Sequence, residues 1–334
     1  MSGFAPAPAP ILSVYSPSAY QVFQRNTSNN ATILIRGRVD NFPPPYNIEA
    51  RLNFGDWQVI ATSTLLQFQG WLDDVPAGQY TLEVRLAESV EASTSVQYVG
   101  VGDVYVLGGQ SNAVGQGRTN QVYSHPTLKA GLFTLGGEWT ELKDPVSIKR
   151  SAPTIYNVTP AGGSMWPLLA TELMAARNAP VAFIPCASNG QGVIPWQPIL
   201  LGGVYDPTTL FGSCVNRIQW QPDGIAGVLW VGGEENVGDG MSSRVYADGM
   251  EAVADAFWNC CQSRVYLSFI QQIDHTGVTD AEIDEINAGV QMAINENDAV
   301  LPGADFRAIE TNLHFISSQQ LQAAADAWAL TLSN

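Results

Sequence analysis

Basic residues are scarce. Lysine and arginine number 15 against 31 aspartates and glutamates, a formal charge of −16. A surface of that sign repels phosphate backbones and anionic lipid, so nucleic acid and membrane are expected to be poor partners. A neutral glycan, or an acidic one captured locally, remains compatible with it. Long apolar runs are missing too. Although 46% of the residues are hydrophobic, no stretch approaches the ~18–20 needed to cross a bilayer. There are four cysteines and no CxxC among them. Cys260 and Cys261 are adjacent and ill suited to pair with each other, while Cys186 and Cys214 form either a bridge or two small buried thiols. Histidine is limited to His125, His275 and His314. The chain has no HExxH, no Cys/His cluster and no GxxxxGK[ST], and Val99-Gly-Val-Gly-Asp103 does not complete GxGxxG. Zinc, phosphate-loop and dinucleotide chemistry are therefore disfavoured, and neither metal nor cofactor is expected.

At 334 residues the chain is long enough for two domains. Residues 1–10 read as a stiff Pro/Ala-rich lead-in. They lack the basic start and apolar run of a signal peptide, so an extracellular location would need another route. Residues 11–100 carry short alternating runs such as Thr32–Arg36 and Tyr80–Leu86, broken by turn signals at Phe42–Pro45 and Pro76–Gly78. That grammar predicts a small all-β sandwich, immunoglobulin-like in kind.

Over 101–334 the grammar changes. Val104–Leu107, Val181–Pro185, Gly227–Val231 and Val265–Ile270 are short apolar runs suited to strands buried on both faces. Between them lie helical stripes: Tyr246, Met250, Val253 and Phe257; Ile283, Ile286, Val290 and Ile294; Leu321, Ala324, Ala325 and Trp328. Thr279 with Glu282, and Ser317 with Gln320, have the spacing of capping boxes ahead of the last two. This alternation predicts an α/β fold, a three-layer sandwich of parallel sheet flanked by helices, with its site at the carboxyl ends of the strands.

Three stretches at predicted strand ends carry candidate chemistry. Gly108–Ala113 places Ser111 at a strand-to-helix turn, where a hydroxyl is exposed beside free N–H groups. It is not the G-x-S-x-G elbow, because Ala113 stands where the second glycine would be. Cys186–Gly192, running on toward Trp196, is a glycine loop able to aim an amide at an oxyanion. Trp230–Asn236 closes a strand with Glu234, Glu235 and Asn236. His314 lies just before the last predicted helix, within reach of the strand ends. His275 is the fallback base, and His125 stands alone before Pro126.

Together these residues resemble the SGNH-hydrolase superfamily, and more narrowly its sialate O-acetylesterase and acetylxylan esterase branch, the sixth carbohydrate esterase family. The blocks that carry the resemblance are Gly102–Ala113, similar to a strand followed by GQSNM; Asn189-Gly190 with Trp196; Trp230–Glu234, similar to WxQGE; and Thr311–His314, similar to D-x-x-H. The resemblance implies a flavodoxin-like esterase domain and removal of acetyl groups from a glycan through an acetyl-enzyme. It implies Ser111 as nucleophile, His314 as general base, and the N–H groups of Ser111 and Gly190 as oxyanion hole. Gln110, Asn112, Trp196 and Glu235 would bind substrate; Trp196 and Trp230 are available to stack on sugar, with at least one of them expected to pack in the core instead.

This chain departs from the pattern twice. Gly232 replaces the oxyanion glutamine, for which Asn236 is the substitute donor. Thr311 replaces the aspartate, so the acid shifts to Glu234, with Glu235 and Glu310 competing. The rival readings are a non-catalytic carbohydrate-binding protein on a hydrolase scaffold and a lipase-like esterase or thioesterase. An acetylated carbohydrate is the expected partner, and a bacteriophage tail assembly is a setting that would suit such a chain.

Overall fold

The computed structural model describes residues 8–148 and 155–333. The first seven residues of the expected lead-in lie outside them.

The chain opens with β1 (Ile11–Ser16), β2 (Val22–Gln24), β3 (Asn30–Asp40), β4 (Tyr46–Leu52), β5 (Gln58–Ser63), β6 (Gln67–Pro76), β7 (Gly78–Leu86) and β8 (Ser89–Gly109). The runs at Thr32–Arg36 and Tyr80–Leu86 fall inside β3 and β7. Their alternation is reproduced as burial: Ala31, Ile33, Ile35 and Val39 point inward along β3, as period-2 geometry requires. Strands β1, β3 and β6 form an antiparallel sheet. Its inner face shares a core with Phe23, Ile48, Leu82, Val84 and Val99.

The remainder comprises α1 (Ser111–Val114), β9 (Gly131–Phe133), β10 (Trp139–Glu141), α2 (Trp166–Arg177), β11 (Val181–Pro185) and a hairpin of β12 (Leu200–Leu201) with β13 (Val204–Tyr205). Next come α3 (Leu210–Ile218), β14 (Gly227–Val231), α4 (Glu234–Gly238), α5 (Ser243–Cys261), β15 (Val265–Phe269) and β16 (Gln272–Ile273). The chain closes with α6 (Asp280–Glu296), β17 (Val300–Asp305), β18 (Glu310–Thr311) and α7 (Ser318–Leu332). Both capping boxes are present, at Thr279/Glu282 and Ser317/Gln320. Tyr246, Met250, Val253 and Phe257 are fully buried on α5, as are Ile283, Ile286 and Val290 on α6. Each such aliphatic or aromatic side chain contributes about 1.5–3 kcal/mol by leaving water. All four cysteines are free thiols; Cys186 and Cys214 are buried, whereas Cys260 is exposed and Cys261 intermediate.

The expected fold class needs correction. The structure holds one mixed, eleven-stranded sheet rather than a parallel sheet of its own behind a separate β-sandwich. Its path runs β10-β9-β11-β8-β14-β15-β17, and β2, β4, β5 and β7 join it through β8. The reason is β8 itself. Its first part pairs antiparallel with β7, its middle takes β2 in parallel, and its last part lies parallel between β11 and β14. One strand of 21 residues thus serves two sheet grammars, and the expected boundary at 100/101 falls within it. Glycines 100 and 102 sit in extended chain. A Cβ at Gly102 would lie 1.9 Å from the Pro180 carbonyl oxygen, so glycine there admits a neighbour and does not end a strand. At the far edge, β10 pairs antiparallel with β9.

A buried charge cluster fixes this strand. The Asp103 carboxylate accepts Nε and Nη2 of Arg25, both at 2.8 Å, and Nη1 of Arg177 at 2.5 Å. Arg177 also donates to the Tyr105 hydroxyl and to the Leu332 carbonyl. The paired fork geometry sets the direction of β8 as well as its depth.

Candidate active site

The nucleophile candidate sits where β8 stops. Gly109 has φ +104°, and a Cβ on it would lie 2.0 Å from the Val231 carbonyl oxygen. Glycine is thus required for the chain to turn beside β14. Gln110 N then donates to that carbonyl at 2.9 Å, and α1 begins at Ser111. The Trp166 indole N–H holds the other end of α1 by donating to Ala113 O at 2.7 Å. Ser111 is left 7% exposed, with its Oγ 2.9 Å from Nε2 of His314. The structure therefore joins two residues 203 positions apart.

His314 is mounted on an unusual piece of backbone. Leu313 has φ +96°, a conformation costing a branched residue about 1–3 kcal/mol unless its surroundings enforce it. Its carbonyl accepts Gln271 Nε2 at 2.8 Å and Asn112 Nδ2 at 3.4 Å. On the other side of His314, Phe315 N donates to Asn112 Oδ1 at 3.0 Å. Asn112, buried next to the nucleophile, thus holds the backbone on both flanks of the imidazole. Its amide also donates to Glu234 Oε1 at 2.6 Å.

That bond places Glu234 behind Asn112. Its carboxylate is held by the amide, and its other oxygen is buried without a hydrogen-bond partner among the described residues. Burial pushes the Glu234 carboxyl above the usual carboxylate range, against the opposing pull of the Asn112 amide. Thr311 is turned away, its hydroxyl donating to Gln272 O at 3.3 Å. Glu235 and Glu310 are exposed.

The second loop meets the first through Ser188, whose N–H donates to Gly109 O at 3.2 Å. Asn189 follows, bound by Gln116 Nε2 at 3.1 Å, and Gly190 is exposed beyond it. Asn236 lies under this loop. It accepts Val193 N at 3.2 Å and donates to Met241 Sδ at 3.5 Å, so its polar atoms serve the loop. Gln110 is also engaged, its Oε1 accepting Glu235 N at 3.3 Å.

The other candidate residues are placed as follows. Trp196 and Trp230 are 0% and 2% exposed and pack edge to face on each other at 5.0 Å. Two indoles so buried are core, and neither presents a face to sugar. Asn112 is equally inward, and its side chain is bonded to Glu234, Leu313 and Phe315. His275 is exposed and its Nδ1 faces Asn312 Oδ1 at 3.3 Å, whereas His125 Nδ1 accepts Leu128 N in its own turn. Neither joins Ser111. Gln271 went unnoticed in the sequence, because nothing marks a glutamine that serves a strained carbonyl far away in the chain. Among the described residues, no cluster of three or more His, Cys, Asp or Glu side chains could hold a metal, and no helix is long and apolar enough to cross a membrane.

Burial pushes His314 below its ordinary value of 6.5. A general base must be neutral, so lowering its pKa extends the neutral form to lower pH. The acid limb of kcat/KM for any reaction that uses this base should have its midpoint below about 6.5. A midpoint near or above 7 would show a carboxylate acting directly on the ring.

The family model for carbohydrate esterases described as sialic acid-specific acetylesterases matches residues 101–328. Among solved structures, a carbohydrate acetylesterase from Xanthomonas citri is similar over 97% of this chain and 74% of its own, with 17% identity and a TM-score of 0.59. A protein of Arabidopsis thaliana is similar over 70% of this chain and 98% of its own, with 19% identity and a TM-score of 0.52. At such identities the likeness is one of fold. No curated relative matches the sequence.

Proposed function

This chain belongs to the carbohydrate esterase, sialic acid-specific acetylesterase family, and from that premise we propose that it removes O-acetyl groups from carbohydrate with Ser111 as nucleophile and His314 as general base. The observation that carries the reading is the 2.9 Å contact between Ser111 Oγ and His314 Nε2 at the carboxyl end of β8. A serine hydroxyl is a weak nucleophile until a neighbouring base takes its proton, and a neutral imidazole at hydrogen-bond distance is suited to do so.

In the proposed sequence Ser111 Oγ attacks the acetyl carbonyl as His314 Nε2 accepts its proton. The tetrahedral intermediate collapses, and His314 returns the proton to the departing sugar hydroxyl. Water, deprotonated by the same imidazole, then attacks the acetyl-enzyme and releases acetate. No metal or cofactor enters these steps.

The backbone N–H groups of Ser111 and Gly190 are the proposed oxyanion donors. Gly232 offers no side chain to join them, and Asn236 is committed beneath the loop. A hole lacking one donor costs roughly 10²–10³ in rate, so the reaction leans on the two amides. Glu234 contributes by fixing Asn112 and, through it, the segment bearing His314.

A fluorophosphonate probe tests the nucleophile directly, because it phosphonylates activated serines and leaves ordinary serine hydroxyls untouched. Peptide mapping should find Ser111 labelled and other serines untouched, with acetylated polysaccharide protecting it. A protein that resists the probe, or carries it elsewhere, would sink the assignment.

A further inference from the structure

Two cavities lie away from Ser111, at the junction between the opening strands and the β9–β10 edge of the long sheet. One, of about 440 Å³, is lined by Tyr15, Arg36, Trp139, Gln219 and Trp220. A neighbouring one of about 660 Å³ is lined by Tyr20 and Lys143 among others. Trp139 and Glu138 line both.

Two of these rings stand in solvent. Trp220 is 69% exposed and Tyr15 is 59% exposed. Scattered surface aromatics are ordinary, but these two and Trp139 line one cleft with a guanidinium and an amide. The local chain does not demand them. Trp220 sits in the turn after α3 and Tyr15 on the edge strand β1, where polar residues would satisfy the backbone equally well. The mixture is diagnostic of ligand chemistry. A pyranose presents an apolar C–H face, which stacks on an aromatic ring, and a rim of hydroxyls, which pair with planar polar groups. Concave sites of this size that combine aromatic walls with placed polar groups are where ligands settle.

We propose that this cleft is a non-catalytic carbohydrate-binding site that holds an oligosaccharide stretch on Tyr15, Trp139 and Trp220, with Arg36 and Gln219 meeting its hydroxyls. Because Trp139 borders both cavities, the site suits a chain of several sugars better than a single one. It would keep a polysaccharide on the enzyme while acetyl groups are removed elsewhere on it. That last role rests on the proposed esterase function; the binding itself does not.

The test uses full-length Ser111→Ala protein, fluorescently labelled, on an array of acetylated and unacetylated plant, bacterial and sialylated glycans. Retention of at least one glycan is expected. Adding Trp220→Ala or Tyr15→Ala should weaken that retention about tenfold, the effect of losing one stacked ring. In the native Ser111 background the same two substitutions should leave turnover of 4-nitrophenyl acetate unchanged within about twofold, since neither ring touches the reacting atoms. Both positions are exposed, so the fold should tolerate alanine. Retention of no glycan, or retention indifferent to both substitutions, would overturn the proposal. Failure of the esterase reading is read separately, as Ser111→Ala protein that still hydrolyses 4-nitrophenyl acetate.

Discussion

Replacing Ser111 by alanine should lower kcat for acetate release by roughly 10⁴- to 10⁶-fold, on 4-nitrophenyl acetate and on acetylated polysaccharide alike. The size of the effect follows from what the hydroxyl does. It forms the bond to the acetyl group and supplies the proton that His314 takes, and no other hydroxyl among the described residues is bonded to that imidazole. Backbone donors at the turn remain in the variant, so a small residual rate above the uncatalysed one should survive. The fold should survive too. Ser111 Oγ bonds no backbone group, and its loss leaves only a hydroxyl-sized gap. The melting temperature is therefore expected to move by a few degrees at most. Activity close to native would end the case for covalent catalysis at this serine, whatever the fold resembles.

The second large effect is expected one residue away. Asn112→Ala should cut kcat by about 10²–10³ and destabilise the protein by about 3–5 kcal/mol. Three bonds go at once: those to Glu234 Oε1, Leu313 O and Phe315 N. A buried carboxylate loses its donor, and the backbone on either side of His314 loses its anchor. A misplacement of about 1 Å in a catalytic group is enough for such a loss of rate.

Glu234→Gln is the companion measurement. Glutamine keeps an acceptor for the Asn112 amide and removes a charge that burial disfavours. Stability should stay level or rise, and kcat should fall by no more than about tenfold. A drop of about 10⁴ in the glutamine variant, as when the charge of a triad acid is removed, would show that the carboxylate serves the imidazole directly. The two substitutions together separate an acid that stabilises charge from one that holds a scaffold.

Much of this was legible in the chain. The strand runs at Val181–Pro185 and Gly227–Val231 and both capping boxes depend on local pattern and are found where pattern puts them. A glycine-rich strand-to-helix turn and a scarce imidazole made Ser111 and His314 candidates, but their roles came only from the family resemblance. What could not be read has a common cause. Gly102 lies against Pro180, 78 positions later, where a Cβ would meet the proline carbonyl oxygen. Nothing within residues 99–103 distinguishes that contact from a turn. Asn112 follows the nucleophile and so suggested substrate, yet its direction is decided by Glu234 and Phe315, each more than 100 residues distant. Trp196 and Trp230 are conspicuous as letters, but only their mutual packing shows that they are core. Periodicity reports which face is apolar; it carries no record of which distant group meets it.

The continuity of β8 bears on heredity as well as on shape. Domains joined by a loop can be exchanged between genes almost anywhere in the loop. Here the seam is a strand, and recombination within Ser89–Gly109 must preserve both its length and its parity. One inserted residue would invert every side chain beyond it. Asp103 would swing away from Arg25 and Arg177, and Ser111 would leave β8 on the wrong side of the turn. Any exchange at this seam must therefore keep the register of β8 on both sides of it.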